Sequence, residues 1–390
     1  VVRKATVAGI TSTGSKRPEA LFGAGYDGPV MRMARSAGAR VWDEYGKEYL
    51  DFVMALGAVA LGYADPAVNR AVQDAVDRGA IGPLPPVEEA ALAADLGELI
   101  TGLEEVRFLK TGAEAVAAAV RLARTHTSRD EVLGCGYHGW LDWCGKGAGI
   151  PSETRALYGE LPFNDVEQST RMIRASGDNL ACVVIEPVVH AAPSAEWLCA
   201  LREETRRSGA VLVFDEIKTA FRVGMGGAAA RWGGEPDLVV LGKALANGFP
   251  LAAVGGRADV MRRVRDTWIS STLATEFVSF AAARATIAVA RSRGLPAHLE
   301  HTGAYFMQGL ERLAGDYPAL ADGVRGIPQM CYLQWASDEV SGRVARECAR
   351  RGLLFKRNAY NFVSLAHEQK DIDSALGTLE GVMAELSLRA

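Results

Sequence analysis

The spacing of hydrophobic residues changes along this chain, and the changes outline its elements. From residue 105 onward, short apolar runs alternate with longer amphipathic stretches. Residues 106–109, 131–134, 181–186, 210–216 and 238–241 read as strands. Helices are predicted between them, over 113–124 and 196–207. Such alternation calls for a mostly parallel sheet covered by helices on both faces. Upstream, 39–52 reads as two strands around a turn at Gly46. Asp65 is placed to cap a helix reaching about residue 77, with Pro66 in its first position. A proline-dense loop over 82–86 precedes a helix over 87–100. Residues 275–292 read as one long Ala-rich helix leaving the large domain, and 330–335 and 361–365 are strand-like. The opening, to about Gly28, is polar and reads as a segment that wraps over another part. The fold class expected is α/β, with a mostly parallel central sheet in a large domain over 56–290. A smaller α+β domain is expected from both termini, 1–55 and 291–390.

Composition narrows the function classes. With 390 residues, 49% hydrophobic and 23% charged, the chain has the make-up of a globular protein. A formal net charge of -4 argues against a nucleic-acid or anionic-membrane partner, since both favour a basic face. No apolar run approaches the length of a membrane span, and Val1-Val2-Arg3-Lys4 lacks the apolar core of a secretory signal. The six cysteines lie far apart without a C-x-x-C spacing, which predicts reduced thiols, a cytoplasmic location and no metal site.

The candidate chemistry gathers at strand ends. The run 238–241 stops in Gly242-Lys243, which puts a lysine at the carboxyl edge of a sheet, where open α/β sheets bind ligands. A lysine in a partly apolar site has a depressed pKa and more free amine to attack a carbonyl. The preceding strand ends in Asp215. An amine and a carboxylate at adjacent strand ends are what an enzyme needs to hold pyridoxal 5'-phosphate (PLP). Thr111, Gly112 and Ala113 open a helix, and the free amides of such a turn suit a phosphate dianion. Tyr137 follows a strand and can lie flat on a planar ring, with Ile217 on the other face. Asp215 under a pyridine nitrogen would keep it protonated. Each residue also has a plainer reading: Lys243 as a surface charge, Asp215 as a turn acid, 110–114 as an ordinary strand-to-helix turn, and His138 as a structural hydrogen-bonder.

Six motifs together resemble the class III aminotransferases. They are Thr111-Gly112-Ala113-Glu114-Ala115, Gly136-Tyr137-His138-Gly139, Ile185-Glu186-Pro187, Phe214-Asp215-Glu216-Ile217, Phe221-Arg222 and Leu241-Gly242-Lys243-Ala244-Leu245-Ala246-Asn247-Gly248. The branch they most resemble is that of the glutamate-1-semialdehyde aminomutases, and the likeness covers nearly the whole chain. The resemblance implies the PLP-dependent fold type I and a homodimer with shared active sites. It also implies that Lys243 forms the Schiff base, that Asp215 pairs with the ring nitrogen and that Tyr137 stacks on the ring. Gly112 and Ala113 would hold the phosphate, His138 and Glu186 would complete the cofactor site, and Thr272 would reach the phosphate of the neighbouring subunit. The reaction implied is amino-group transfer from a small donor to a carbonyl acceptor.

Departures from the family pattern bear on the substrate. Ala20 stands where the aminomutases carry a carboxylate-binding arginine, with Arg17 out of register. Ala55-Leu56-Gly57 replaces a Ser-Trp-Gly segment. After Glu186-Pro187, Val188-Val189-His190-Ala191 lacks the amide that bonds the ring oxygen, a role open to His190. The arginine that clamps an α-carboxylate in ornithine-type relatives has no counterpart near Asn361, Phe362 and Val363. Ser270-Ser271-Thr272 with Glu276 resembles branches acting on sugars and aminocyclitols in secondary metabolism, such as antibiotic biosynthesis. The expected acceptor is therefore a carbonyl on a polyhydroxylated, aminosugar-type substrate, with glutamate as donor. The alternatives are an aminomutase, a PLP-dependent epimerase, or a PLP-binding protein without catalysis.

Overall fold

The computed structural model describes residues 6–28 and 31–388. The chain forms two compact units. The larger comprises Ala58–Leu61 and Asp65–Ala297; the smaller holds the described residues up to Gly57, then Gly62–Ala64 and those from His298 onward.

The larger unit is built on a seven-stranded sheet. In chain order its strands are β1 (Glu105–Leu109), β2 (Glu131–Cys135), β3 (Tyr158–Glu160), β4 (Leu180–Ile185), β5 (Val211–Asp215), β6 (Leu238–Leu241) and β7 (Ala252–Gly256), in the spatial order β1-β7-β6-β5-β4-β2-β3. β4, β5 and β6 are adjacent and parallel, while β7 runs antiparallel to both β6 and β1. The sheet is thus mixed and mostly parallel. Every residue of β4 to β7 is buried, which explains apolar runs without alternation. Alternate positions, among them Cys182, Val184, Val213, Val240 and Val254, share one core with Ala115, Ala118, Ala119 and Leu122 of the helix Gly112–Thr127. Small side chains on that helix let its backbone lie close to the sheet.

β7 is not anticipated by the sequence pattern, because Ala-Ala-Val-Gly-Gly is poor in the β-branched and aromatic residues that mark strands. The small residues are required here: a Cβ on Gly256 would fall 2.1 Å from the Asp237 carbonyl oxygen, and one on Gly255 would fall 2.9 Å from that of Glu105. The expected helix over 275–292 begins later, as Phe277–Ser292, because Glu276 caps it by accepting the Ser279 N–H and 272–275 forms a tight 3-10 turn. Asp65 caps Pro66–Asp77 through the Ala67 and Val68 amides.

In the smaller unit the strands Arg40–Asp43 and Glu48–Asp51 form the expected hairpin, flanked by Met33–Ala37 and by Leu353–Leu354, which pairs in parallel with Glu48–Asp51. A second sheet joins Ala321–Ile327, Met330–Trp335 and Asn361–Phe362. The last strand ends sooner than the expected 361–365, because the Ser364 amide turns to donate to the His367 ring. After the hairpin, Met54–Gly57 makes a left-handed turn with φ of 45°, 49°, 60° and 84°, three of its residues not glycine. Such backbone is strained. It is held by the buried Asp51 carboxylate, which accepts the Val53 and Met54 amides and the Tyr63 hydroxyl.

His367 is fully buried. Its Nδ1 accepts the Ser364 N–H at 3.0 Å, so Nε2 carries the proton and donates to the Asp51 carbonyl at 3.2 Å. Burial pushes its pKa down to about 4. The unfolded residue titrates at about 6.5, so between these values the unfolded chain binds more protons than the folded one. The stability contributed by neutral His367 is complete above the unfolded pKa and is lost as pH falls towards 4. Urea denaturation of the wild type should therefore lose on the order of 3 kcal/mol more than His367→Gln between pH 7 and pH 4.

Candidate active site

Parallel strands deliver their carboxyl ends to one edge, and that edge carries the polar groups of the larger unit. Glu186 follows β4, Asp215 ends β5, and Lys243 stands two residues after β6. With the turn after β2 they line a cavity of about 260 Å³. Lys110, Gly112, Ala113, Tyr137, His138, Trp140, Ile217 and Leu251 complete most of its wall.

Lys243 has φ of 44°, left-handed backbone that turns the chain sharply after Gly242. The residue as a whole is partly exposed to the cavity, but its amine is surrounded by protein. Burial, with the nearby Lys218 charge, lowers its pKa to about 8, while Asp215 and Glu186 pull the other way and Arg222 adds a smaller lowering effect. A sizeable fraction of the amine is therefore uncharged near neutrality.

Asp215 is buried, and its two oxygens are committed to different partners. Oδ2 lies 2.9 Å from His138 Nδ1, and Oδ1 accepts the Ile217 amide at 3.2 Å. With a carboxylate as acceptor, His138 Nδ1 is the donor. His138 Nε2 is buried with no hydrogen-bond partner. The neighbouring Glu216 serves the fold: its carboxylate accepts the Ala228 and Ala229 amides at 2.8 Å and the Thr219 hydroxyl.

Glycines shape the wall between sheet and helix. A Cβ on Gly112 would fall 2.6 Å from Ile217 Cδ1. One on Gly136, at φ of 105°, would fall 2.6 Å from Glu186 Oε2. The helix Gly112–Thr127 is closed by a capping box between Thr111 and Glu114, so the Thr111 side chain is spent on the helix. The amides of Gly112 and Ala113, at its first positions, have no intrahelical acceptor and face an anion site with the helix dipole behind them. Tyr137 is held by its backbone, whose N–H donates to Glu186 Oε2 at 2.9 Å, while its ring stays exposed.

Of the residues singled out from the sequence, Gly112, Ala113, Tyr137, His138, Glu186, Asp215, Ile217 and Lys243 come together in this cavity. Thr272 does not: it is exposed at the start of the turn Thr272–Thr275. Its neighbours Ser271, Ala274 and Thr275 line a different cavity of about 290 Å³ with Arg107, Arg121 and Trp268. His190 is exposed, packs edge-on against Phe163 and does not reach the site. Sequence reasoning missed Lys110, whose Nζ pairs with Glu276 at 2.5 Å, and Lys218, which pairs with Glu186 at 2.7 Å. A second lysine three residues past the strand-end acid was the available signal for Lys218.

The donor set fits PLP: an anion cradle at a helix start, a buried carboxylate, a flat apolar contact from Ile217, a desolvated amine and an unsatisfied ring nitrogen on His138. Among the described residues no group of His, Cys, Asp and Glu is arranged to hold a metal ion, and no helix is long and apolar enough to cross a membrane.

Comparison with known proteins agrees with that geometry. The family model described as aminotransferase class-III matches residues 22–383. A glutamate-1-semialdehyde 2,1-aminomutase of Thermomicrobium roseum is 34% identical over 413 aligned positions, covering 96% of this chain and 95% of the relative. Among solved structures, the PLP form of the FumI protein of Sphingopyxis sp. MTA144 superposes with a TM-score of 0.87 at 27% identity, over 92% of this chain and 89% of that one. An omega-transaminase from Sphaerobacter thermophilus gives 0.85 at 27% identity, over 92% of each chain.

The depressed pKa has a direct readout. In the cofactor-free protein, trinitrobenzenesulfonate should label Lys243 with a midpoint near pH 8, followed by peptide mass spectrometry. Exposed lysines should follow midpoints of about 10.4. A Lys243 midpoint above 10 would contradict the desolvated amine.

Proposed function

This chain belongs to the class-III aminotransferase family and is a PLP-dependent enzyme, and from that premise we propose how its own residues work and what they act on. The observation carrying the reading is one cavity with the Lys243 amine and the Asp215 carboxylate at its floor, on the ends of adjacent parallel strands. The Gly112 and Ala113 amides would hold the phosphate. Ile217 and Tyr137 would cover the ring. Asp215, oriented by His138, would keep the ring nitrogen protonated. Bound there, PLP supplies an electron sink for the negative charge that develops on the substrate carbon bearing the amino group. Lys243 acts as the base that takes the proton from that carbon and delivers it elsewhere in the site, a role worth about 10²–10⁴ in rate. Its lowered pKa leaves the amine able to accept that proton near neutral pH.

The acceptor we propose is an aldehyde or ketone on a sugar- or aminocyclitol-type molecule, with glutamate as donor. Two departures support this: Ala20 in place of a carboxylate-binding arginine, and no counterpart near Asn361, Phe362 and Val363 of the arginine that clamps an α-carboxylate in ornithine-type relatives. Without those clamps an acceptor carrying a carboxylate loses its charge-assisted hydrogen bonds. A homodimer, in which Thr272 contributes to the phosphate site of its partner, and a cytoplasmic location belong to the same proposal. A second reading, aminomutase, is favoured by the 34% identity to the Thermomicrobium roseum protein of that name.

Borohydride reduction of the cofactor-loaded enzyme, followed by peptide mapping, should tag Lys243; a tag on another lysine would sink the assignment. Lys243→Ala should lower single-turnover proton abstraction by about 10²–10⁴. A screen of polyhydroxylated carbonyl acceptors against glutamate, read by bleaching of the cofactor colour with the donor and its recovery with the acceptor, tests the substrate. One donor consumed per product supports transfer, and turnover without any donor supports the aminomutase reading.

A further inference from the structure

Lys218 is a half-buried cation that the reaction described above does not use. Its side chain is 14% exposed, and its Nζ lies 2.7 Å from Glu186 Oε1. Glu186 is itself 6% exposed at its side chain, and its other oxygen accepts the Tyr137 amide. The same carboxylate lines the cavity that Lys243 lines. One buried acid thus ties the turn that carries Tyr137 to a second lysine.

Taking both partners of an ion pair out of water is costly, so a pair placed here calls for an account beyond bracing a turn. A neutral glutamine at 186 keeps an acceptor for the Tyr137 amide. The charges acting on the Lys243 amine supply the account. They are the anions Asp215 and Glu186 and the cations Lys218 and Arg222, with His138 bonded to Asp215. Asp215 and Glu186 favour the ammonium form, and Lys218 opposes them. Lys110, which lines the same cavity, is paired with Glu276. Without Lys218 the Glu186 carboxylate would act uncompensated and hold Lys243 protonated.

We propose that Lys218 is a positioning residue that cancels the field of Glu186 at Lys243 and so keeps the Lys243 amine uncharged and nucleophilic. The inference rests on Lys243 being the reactive amine of the site. Its direction agrees with the lowering that Lys218 exerts on the Lys243 pKa.

The test reads the amine and not the turnover. The full-length protein, stripped of cofactor, is labelled with trinitrobenzenesulfonate from pH 6 to 10, and the Lys243 peptide is quantified. Lys218→Met should move the Lys243 midpoint upward and slow its labelling several-fold at pH 7.5, since one unit of midpoint corresponds to about tenfold in free amine. Lys218→Arg keeps the charge and should keep the wild-type midpoint. Glu186→Gln removes a charge that favours the ammonium form and should move the midpoint down, and Lys218→Met with Glu186→Gln should return it towards the wild type. Should Lys218→Met fail to fold, the downward shift in Glu186→Gln and the recovery in the double variant still decide the matter. An unchanged midpoint in Glu186→Gln, or a Lys218→Arg shift as large as that of Lys218→Met, would overturn the proposal. Borohydride tagging separates this from the assignment of Lys243 itself. A tag on Lys243 with immobile midpoints removes only the role of Lys218, and a tag elsewhere removes both.

Discussion

Desolvation of one amine is the constraint on which the site depends. In water Lys243 would be an ammonium ion at every physiological pH and could neither attack a carbonyl nor take a proton from carbon. Burial moves its titration to about 8, with Lys218 and Arg222 acting in the same direction and Asp215 and Glu186 against it. Asp215 has to be a carboxylate close by, and a carboxylate pulls the amine back towards its charged form. The two requirements conflict. They are reconciled by giving Asp215 other partners, His138 and the Ile217 amide, and by setting cations near the amine.

The sheet makes this arrangement affordable in backbone terms. β4, β5 and β6 are covered on both faces, so nothing charged is tolerated along them, and polar chemistry is confined to where they stop. Because the three run in parallel, their ends fall at one edge and Glu186, Asp215 and Lys243 meet without any long-range reach. Asp215 and Glu216, adjacent in sequence, split the work there. One lines the cavity, and the other anchors the loop towards Gly227–Trp232 through three hydrogen bonds.

Much of this was legible beforehand, for a physical reason. Strands buried on two faces are written as unbroken apolar runs, and a functional group at the end of such a run stands out against them, as Asp215 and Lys243 do. Caps are similarly explicit, as with Asp65 before Pro66. Elements selected for closeness are not legible in this way. β7 has a single β-branched residue, Val254, and at Gly255 and Gly256 a side chain would strike Glu105 and Asp237, so it carries a weak strand signature. The left-handed turn Met54–Gly57 is invisible for the opposite reason: three of its residues are ordinary, and the buried Asp51 carboxylate that helps hold them leaves no local signature. Lys218 was passed over because a lysine after a turn acid looks like a surface charge until its partner Glu186, far away in sequence, is seen to be buried.

The antiparallel strand β7 also bears on how Lys243 is held. After β6 the chain must reverse at once to pair with its neighbour, and it does so within the segment that carries the lysine. Leu245 N–H bonds back to the Gly242 carbonyl and Phe249 N–H to that of Ala246, while Asn247, itself left-handed at φ of 46°, accepts the Leu61 amide through Oδ1. A parallel successor would have required a long crossover leaving the edge. A tight return keeps both ends of the connection at the cavity, so that Lys243 enters its wall from one side and Phe249, Pro250 and Leu251 from the other. The segment 242–251 that positions the amine thus also supplies part of the cavity wall, a consequence of β7 running antiparallel to β6.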